Sequence, residues 1–313
     1  MLHIQATMKI AFIGGVEFSH EILSTILENG WDVSVVFSYL DSKKKYYSDF
    51  ANFDDLSKKY AFTQIKVNNI NDPENIELLQ KIKPDLILVM GWSQLLKNEI
   101  ISIPKFGVIG SHPTKLPKYR GRAPIPWSIL KNLRHSALTF FFIEEGVDDG
   151  DILDQQVFEI EDQDDATSIY HKVTLLGKEM ILDDLNKIKN KTFLRKKQNP
   201  AEFTENWPKR TPEDGKINWT KTAKDIQTLI RATTHPYPGA FGYFNKKCVK
   251  IWKASVIDES FETLGKIINV DKNGVQVSTG GSSILIIKAS FDDGAECFGH
   301  EIFSKADIGK ILT

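Results

Sequence analysis

The chain has 313 residues, long for one domain and comfortable for two. Apolar residues make up 41% and charged residues 26%, an ordinary globular mix that excludes fibrous, low-complexity and disulfide-built classes. The net charge of −1 provides no overall basic field for a nucleic acid, and no apolar run reaches the roughly 20 residues a bilayer requires.

Cys248 and Cys297 lie far apart without metal-ligand spacing and read as reduced thiols of a cytoplasmic protein. The start of the chain lacks the basic, apolar and small-residue succession of a signal peptide. Met8 opens a better strand than Met1, so the seven residues before it read as a loose extension or a misassigned start.

From Lys9 to Ile13 a short β-rich run ends in Gly14-Gly15, followed by helix-spaced Phe18, Ile22, Leu23, Ile26 and Leu27 and then a strand over Trp31–Phe37. This β-α-β unit predicts a parallel sheet. The glycines do not form GxGxxG, so they read as a tight strand-to-helix turn, not a dinucleotide fingerprint. Lys43-Lys44-Lys45-Tyr46-Tyr47 is a basic and aromatic loop, either simply solvated or in contact with substrate phosphates.

Asp54–Tyr60 reads as a helix and Thr63–Val67 as a strand. Asp72-Pro73-Glu74 opens another helix, with Asp72 as its cap. DLILVM (85–90) is a buried-type strand ending at Gly91, whose lack of a side chain would let a flat ligand approach the backbone. Trp92 after it either packs or helps hold such a ligand. Val108-Ile109 leads to His112, and Leu138–Ile143 leads to Asp148. Ala123-Pro124 starts a helix, and a long helix covers Asp165–Ile188. A charged connector and a Pro/Trp-rich loop follow, then a helix over Thr222–Thr233 and five short β-type runs that predict a small antiparallel barrel.

An imidazole and a carboxylate, each at a strand exit, can meet at one edge of a sheet, where open α/β folds bind ligands. A histidine beside a carboxylate suits proton transfer near neutral pH. Asp149 and Asp151 flank Asp148, but no histidine partner or oxygen-rich loop accompanies them, so no metal is expected.

These stretches also resemble a known family. HPTKLPKYRGRAPIPW is similar to the loop of formyltransferases that use 10-formyltetrahydrofolate, whose pattern is Asn-x-His followed by a segment like SLLPxYRGxxPxxW. The family's DxG is matched by Asp148-Asp149-Gly150. KRTPEDGKINW (209–219) and IRATTHPYPGAF (230–241) resemble the junction and C-terminal domain of full-length members.

The resemblance implies an α/β fold: a Rossmann-like, mostly parallel sheet with helices on both faces, followed by a small antiparallel OB-like β-barrel. The corresponding boundaries are a catalytic domain over 8–195, a linker over 196–222 and a barrel over 223–313, and a cut near Asn199 is expected to leave the first domain folded. The implied formyl donor is 10-formyltetrahydrofolate, held by Met90, Gly91 and Trp92 with Leu116, Glu145 and Gly146. His112 and Asp148 are the implied catalytic pair. Lys118, Tyr119, Arg120 and Arg122 are the implied contacts for an anionic substrate. Trp207 and Trp219 are expected to pack between the domains, and Tyr237 or Phe241 could stack on a nucleotide base.

One position departs from the pattern. The family's asparagine is Gly110 here, which removes one donor to the formyl oxygen. Ser111 is the nearest substitute, although strand alternation points it the other way. The reading is formyl transfer to the primary amine of a small anionic substrate, with a nucleotide-linked amino sugar first. The alternatives are formylation of methionyl-tRNA and a catalytically weak folate- or sugar-nucleotide-binding homologue. The expected partners are small molecules; a homodimer is compatible with this reading, the near-neutral charge argues against a nucleic acid, and no membrane association is expected.

Overall fold

The computed structural model describes residues 8–292 and 294–313, so the seven residues before Met8 lie outside the described residues. The chain divides into two compact units. The first comprises residues up to Pro124, His135–Glu159 and Tyr170–Pro208; the second comprises Ile125–Arg134, Ile160–Ile169 and Lys209–Thr313. The first unit therefore continues past residue 195, and the second takes in two segments that the chain-order boundaries assign to the catalytic domain.

The first unit is built on a seven-stranded sheet in the order β3-β2-β1-β4-β5-β7-β8. Its strands are β1 (Ile10–Gly14), β2 (Val33–Tyr39), β3 (Thr63–Val67), β4 (Leu86–Met90), β5 (Val108–His112), β7 (His135–Phe142) and β8 (Ile152–Glu159). The short strand β6 (Tyr119–Gly121) lies off this sheet. β1 to β5 run parallel, and β7 and β8 are antiparallel additions at one edge.

α1 (Glu17–Glu28) links β1 to β2, and α2 (Asp54–Tyr60) precedes β3. α3 (Pro73–Ile82) and α4 (Asn98–Ile101) flank β4, α5 (Pro124–Leu130) precedes β7, and α6 (Ala166–Lys189) follows β8. Side-chain alternation gives the sheet two apolar faces. Ala11, Ile13, Val35, Phe37 and Val89 form one core with Leu79 of α3 and Ile100 of α4. On the other face Phe12 meets Phe53 edge-on at 6.1 Å, and Phe53 stacks on His20 of α1 at 6.0 Å.

Asp72 does occupy the N-cap of α3, but its side chain makes no capping hydrogen bond; its backbone carbonyl receives the Asn75 amide at 3.0 Å. β8 had no sequence signal strong enough to expect it. Its half-exposed residues show no clean period, and it forms because β7 offers a free edge.

The second unit holds α7 (Ala223–Thr233) and an antiparallel sheet of β10 (Ala240–Phe244), β11 (Lys247–Ile257), β12 (Ile267–Asp271), β13 (Gly274–Ser278) and β14 (Ser283–Phe291), in the order β10-β11-β14-β13-β12. β15 (Cys297–Phe298) adds to β14, and the turn α8 (Gly299–Ile302) follows. Val249, Ile251, Val275, Val277 and Ile284 fill its barrel-like core with Ile226 and Ile230 of α7. Trp219 is 6% exposed within this core, and Trp207 packs in the first unit on Tyr119, so each tryptophan serves its own unit. Phe241 meets Tyr243 edge-on. Among the described residues no helix is long and apolar enough to cross a membrane.

One buried charge in the first unit couples its stability to pH. Lys187 Nζ lies 2.6 Å from Asp183, 3.3 Å from Asp184 and 3.8 Å from Asp154. The Asp184 side chain is 1% exposed, and its Oδ2 has no partner. Burial, then the Asp154 charge, pushes its carboxyl up to about 7 against the opposing pull of Lys187. In the unfolded chain the same group ionises near pH ~4. Folding therefore retains a proton between those values, and the stabilisation is lost as pH rises from about 4 to about 7. Asp184→Asn should flatten this dependence and gain about 1–2 kcal/mol at pH 8 relative to the parent. Urea unfolding at pH 5 and pH 8 checks it, and an unchanged pH slope would refute the assignment.

Candidate active site

His112 is the last residue of β5, 5% exposed, and pairs across the strand with Thr139. Its Nε2 lies 3.0 Å from the Tyr119 carbonyl oxygen. A carbonyl can only accept, so Nε2 carries the proton, and Nδ1 is the nitrogen left to exchange one. Nδ1 faces Asp148 Oδ2 at 3.7 Å, within ion-pair range but too far for a direct hydrogen bond. Asp148 Oδ2 also accepts the Gly121 amide at 3.0 Å. The ring is thus oriented by a backbone carbonyl, and the Asp148 carboxylate lies beside its other nitrogen.

The pair also meets by a different route from two strand exits at one edge. β7 runs antiparallel to β5, so its end at Phe142 lies opposite Ile109, and Thr139 lies opposite His112. The loop after β7 must fold back along the strand pair to bring Asp148 to His112. Asp148 makes this turn at φ 52, a left-handed conformation that an aspartate tolerates better than most residues.

Tyr119 is itself held. Its carbonyl also receives the Thr114 hydroxyl at 2.5 Å, and its ring stacks on Trp207 at 4.7 Å. β6 pairs in parallel with β9 (Glu205–Trp207), with Tyr119 opposite Glu205 and Gly121 opposite Trp207. Gly121 has φ 104, and a Cβ there would come within 2.4 Å of the Trp207 carbonyl oxygen, so this close pairing requires glycine. A cut near Asn199 would remove β9 and Trp207, so it would not leave this part of the first unit intact.

Of the anionic-substrate residues, Arg120 is engaged within the chain: its guanidinium donates to Gln198 Oε1 at 2.8 Å and lies over the Phe203 ring at 5.4 Å. The Lys118 carbonyl takes the Thr204 amide at 3.0 Å, and the Arg122 amide donates to the Trp207 carbonyl at 2.9 Å. Lys115 and Arg122 are exposed, and Lys118 is half-buried. Ser111 is half-buried and leaves β5 on the face opposite His112, so the structure does not bring its hydroxyl to the pair.

Met90, Gly91 and Trp92 sit at the exit of β4, beside that of β1, with Gly14 opposite Met90. This is the switch point of the parallel strands, where connections diverge to either side. Ser19 Oγ closes it from within: it donates to the Met90 carbonyl at 2.5 Å and accepts from the amides of Gly15 at 3.2 Å and Val16 at 3.3 Å. Those amides at the start of α1 are therefore already used, which explains a Gly-Gly turn without a phosphate fingerprint. A Cβ on Gly91, at φ 60, would fall 2.3 Å from Val16 Cγ2, so the neighbour that approaches this glycine is α1's own entry.

The Trp92 ring stacks on Tyr39 at 3.9 Å, and Tyr39 stacks on Tyr47 at 4.3 Å. Ser93 Oγ meets the hydroxyls of Tyr47 at 2.8 Å and Tyr39 at 3.1 Å, and burial drives the Tyr39 phenol well above its ordinary range. Trp92 Nε1 is buried without a partner. Tyr47 thus belongs to the stack, while its neighbour Tyr46 is 68% exposed with Lys45 Nζ 5.0 Å from its ring. Leu116 packs with Phe141 and Ile152 beside His112's strand, Glu145 is exposed, and Gly146 lies in the Asp148 loop. The aromatic stack, Gln198 and β9 carry no local motif; long-range folding alone assembles them.

A formyl transferase family model matches residues 8–185, and a formyl transferase C-terminal domain model matches 209–307. Methionyl-tRNA formyltransferase of Acetivibrio thermocellus is 30% identical over 307 residues, covering 97% of this chain and 98% of the relative. The fold is similar to HypX from Aquifex aeolicus solved with tetrahydrofolic acid, with a TM-score of 0.70 at 19% identity over 95% of this chain; this chain spans 47% of HypX. It is also similar to an N-formyltransferase from Helicobacter canadensis solved with folinic acid and dTDP-3-aminofucose, with a TM-score of 0.66 at 22% identity over 90% of this chain and 99% of that one. On the matched domains and the near-complete alignment to a relative at 30% identity, the chain belongs to the formyl transferase family.

Proposed function

We propose that this formyltransferase moves a formyl group from 10-formyltetrahydrofolate to the primary amine of a small anionic substrate, with a nucleotide-linked amino sugar the favoured class. The observation that carries the chemistry is the histidine with one nitrogen occupied by a carbonyl and the other open beside a carboxylate. The residues present fit a flat folate-type donor: an apolar cluster of Leu116, Phe141, Ile143 and Ile152 packs where β7 pairs with His112's strand, and the Trp92 indole N–H at the exit of β4 is buried without a partner. When bound, the donor supplies an activated formyl group on nitrogen.

The amine nitrogen attacks the formyl carbon, the carbonyl oxygen becomes an oxyanion, and the C–N bond to the donor then breaks. The net proton moves from the amine to the leaving nitrogen. His112 Nδ1 can accept that proton, and the resulting Nδ1–H can donate to the oxyanion or return the proton to the leaving nitrogen. Asp148 at 3.7 Å stabilises the imidazolium that forms and can accept a hydrogen bond from the incoming amine.

Gly110 shows why the missing carboxamide is not a simple deletion. A Cβ there would lie 3.0 Å from Ile143 Cγ1 and Cδ1 and 3.2 Å from Phe141 Cζ. A side chain added at Gly110 therefore presses on apolar side-chain atoms of Ile143 and Phe141, which must give by a few tenths of an ångström.

A net charge of −1 supports a small acceptor, because a tRNA acceptor is held largely through its phosphates by basic surface. Exposed Lys115 and Arg122 on the loop after His112 suit an anionic group of modest size. Formylation of methionyl-tRNA is the second reading, favoured by a relative at 30% identity over nearly the whole chain.

Tetrahydrofolate release from 10-formyltetrahydrofolate should be measured with dTDP-3-aminofucose and with methionyl initiator tRNA. Turnover of the sugar nucleotide is expected; turnover of the tRNA alone would replace the first reading with the second. His112→Ala and Asp148→Asn should each lower kcat by roughly a hundred- to ten-thousand-fold, about 3–5 kcal/mol of barrier; near-parental rates in both would refute the mechanism. Gly110→Asn should lower stability by about 1–3 kcal/mol through overpacking without raising kcat. Adding Ile143→Ala should restore part of the thermal midpoint, and a fast, fully stable single variant would overturn this account of the pocket.

A further inference from the structure

The connector after α6 is not passive. Arg195 Nε donates to Asp151 Oδ2 at 3.1 Å and its Nη2 to Glu144 Oε1 at 2.7 Å, so one guanidinium ties both ends of the loop that carries Asp148. The backbones of Lys196 and Ile152 exchange hydrogen bonds of 2.9 and 2.8 Å. Gln198 then reaches the loop's centre: its Nε2 donates to the carbonyls of Asp148 and Gly150, each at 2.8 Å. Its Oε1 accepts from Arg120 Nη2 at 2.8 Å and Nε at 3.3 Å, and Arg120 adjoins Tyr119, whose carbonyl orients His112.

We propose that Gln198 is a positioning residue: its single amide bridges the Asp148 loop to the strand that orients His112 and sets the distance between the two reacting groups. This rests on the reading of His112 and Asp148 given above. The physical case is that Asp148 sits in the left-handed region, which an aspartate tolerates better than most residues but at a free-energy cost that surrounding contacts must offset. Gln198 supplies such a contact at the Asp148 carbonyl itself. The Gly121 amide supplies another at the carboxylate, and Gly121 is next to Arg120, so the same bridge aligns both ends of that bond. No other amide orientation serves: the two carbonyls need the NH₂ group, and the guanidinium needs the oxygen. A misplacement on the order of 1 Å in such a site costs about a hundredfold in rate.

The test uses the full chain carrying Gln198→Ala, Gln198→Glu, Asp148→Asn and the Gln198→Ala/Asp148→Asn pair, assayed with whichever of dTDP-3-aminofucose and methionyl initiator tRNA is turned over. Gln198→Ala should lower kcat roughly 10- to 100-fold with KM for 10-formyltetrahydrofolate changed less than about threefold. Gln198→Glu keeps the length and the Arg120 pairing but cannot donate to the two carbonyls, so it should match the alanine variant. In the Asp148→Asn background, Gln198→Ala should cost less than about twofold more, because residues that act through one another are not additive. Hydrogen exchange of the Gly121 amide, bonded to the Asp148 carboxylate, should quicken in both Gln198 variants. Parental kinetics in Gln198→Glu, or fully multiplicative losses in the double variant, would overturn the proposal and leave Gln198 a merely structural contact. If Asp148→Asn keeps the parental rate, the catalytic pairing fails instead; in that case, or if neither amine is turned over, unchanged Gly121 exchange overturns the role of Gln198 and quickened exchange supports it.

Discussion

One hydrogen bond sets what this site can do. Because Nε2 of His112 is committed to the Tyr119 carbonyl, the imidazole presents Nδ1, and only Nδ1, to Asp148 and to a ligand beside the pair. A ring free to rotate would offer either nitrogen and spend much of its time misaligned. The rest of the first unit around the site fixes that carbonyl: Thr114 bonds it, β9 pairs with its strand, and Trp207 lies flat against its ring. The orientation of His112 is therefore only as good as a three-residue strand pairing between segments distant in sequence.

The same economy governs the exit of β4. The switch point of a parallel sheet often presents free helix amides to a phosphate. Here Ser19 takes the amides of Gly15 and Val16 and the Met90 carbonyl, so the start of α1 is sealed. What that edge offers instead is aromatic: Trp92, Tyr39 and Tyr47 in a continuous stack, with Ser93 joining the two phenols. That edge is therefore closed by stacked rings, with no free helix amide left for a phosphate at Gly15 or Val16.

Much of the architecture was legible in the residues. DLILVM, the Phe18–Leu27 helical spacing and the Pro73 start place strands and helices within a residue or two of where they lie, because buried-strand and amphipathic-helix patterns are local. The His112 and Asp148 motifs were legible for the same reason. β8, β9 and the brace through Arg195 and Gln198 were not. RKKQN reads as a charged connector, and its hydrogen-bonding partners lie some tens of residues away in chain order. The intrachain engagement of Arg120 was hidden likewise, since a basic residue in a motif loop looks the same whether it awaits an anion or holds a glutamine.

The sequence by itself determined the two-unit organisation, most of the strand and helix order, the family and the candidate His112–Asp148 pair, since each rests on periodicity or on motifs of contiguous residues. Only the tertiary structure decided which imidazole nitrogen is free, that Asp148 arrives by folding back along an antiparallel edge, and that Ile143 and Phe141 press on the Cβ position of Gly110. Those outcomes depend on strand direction, register and angstrom-scale packing between segments remote in the chain, and no local pattern of residues encodes them.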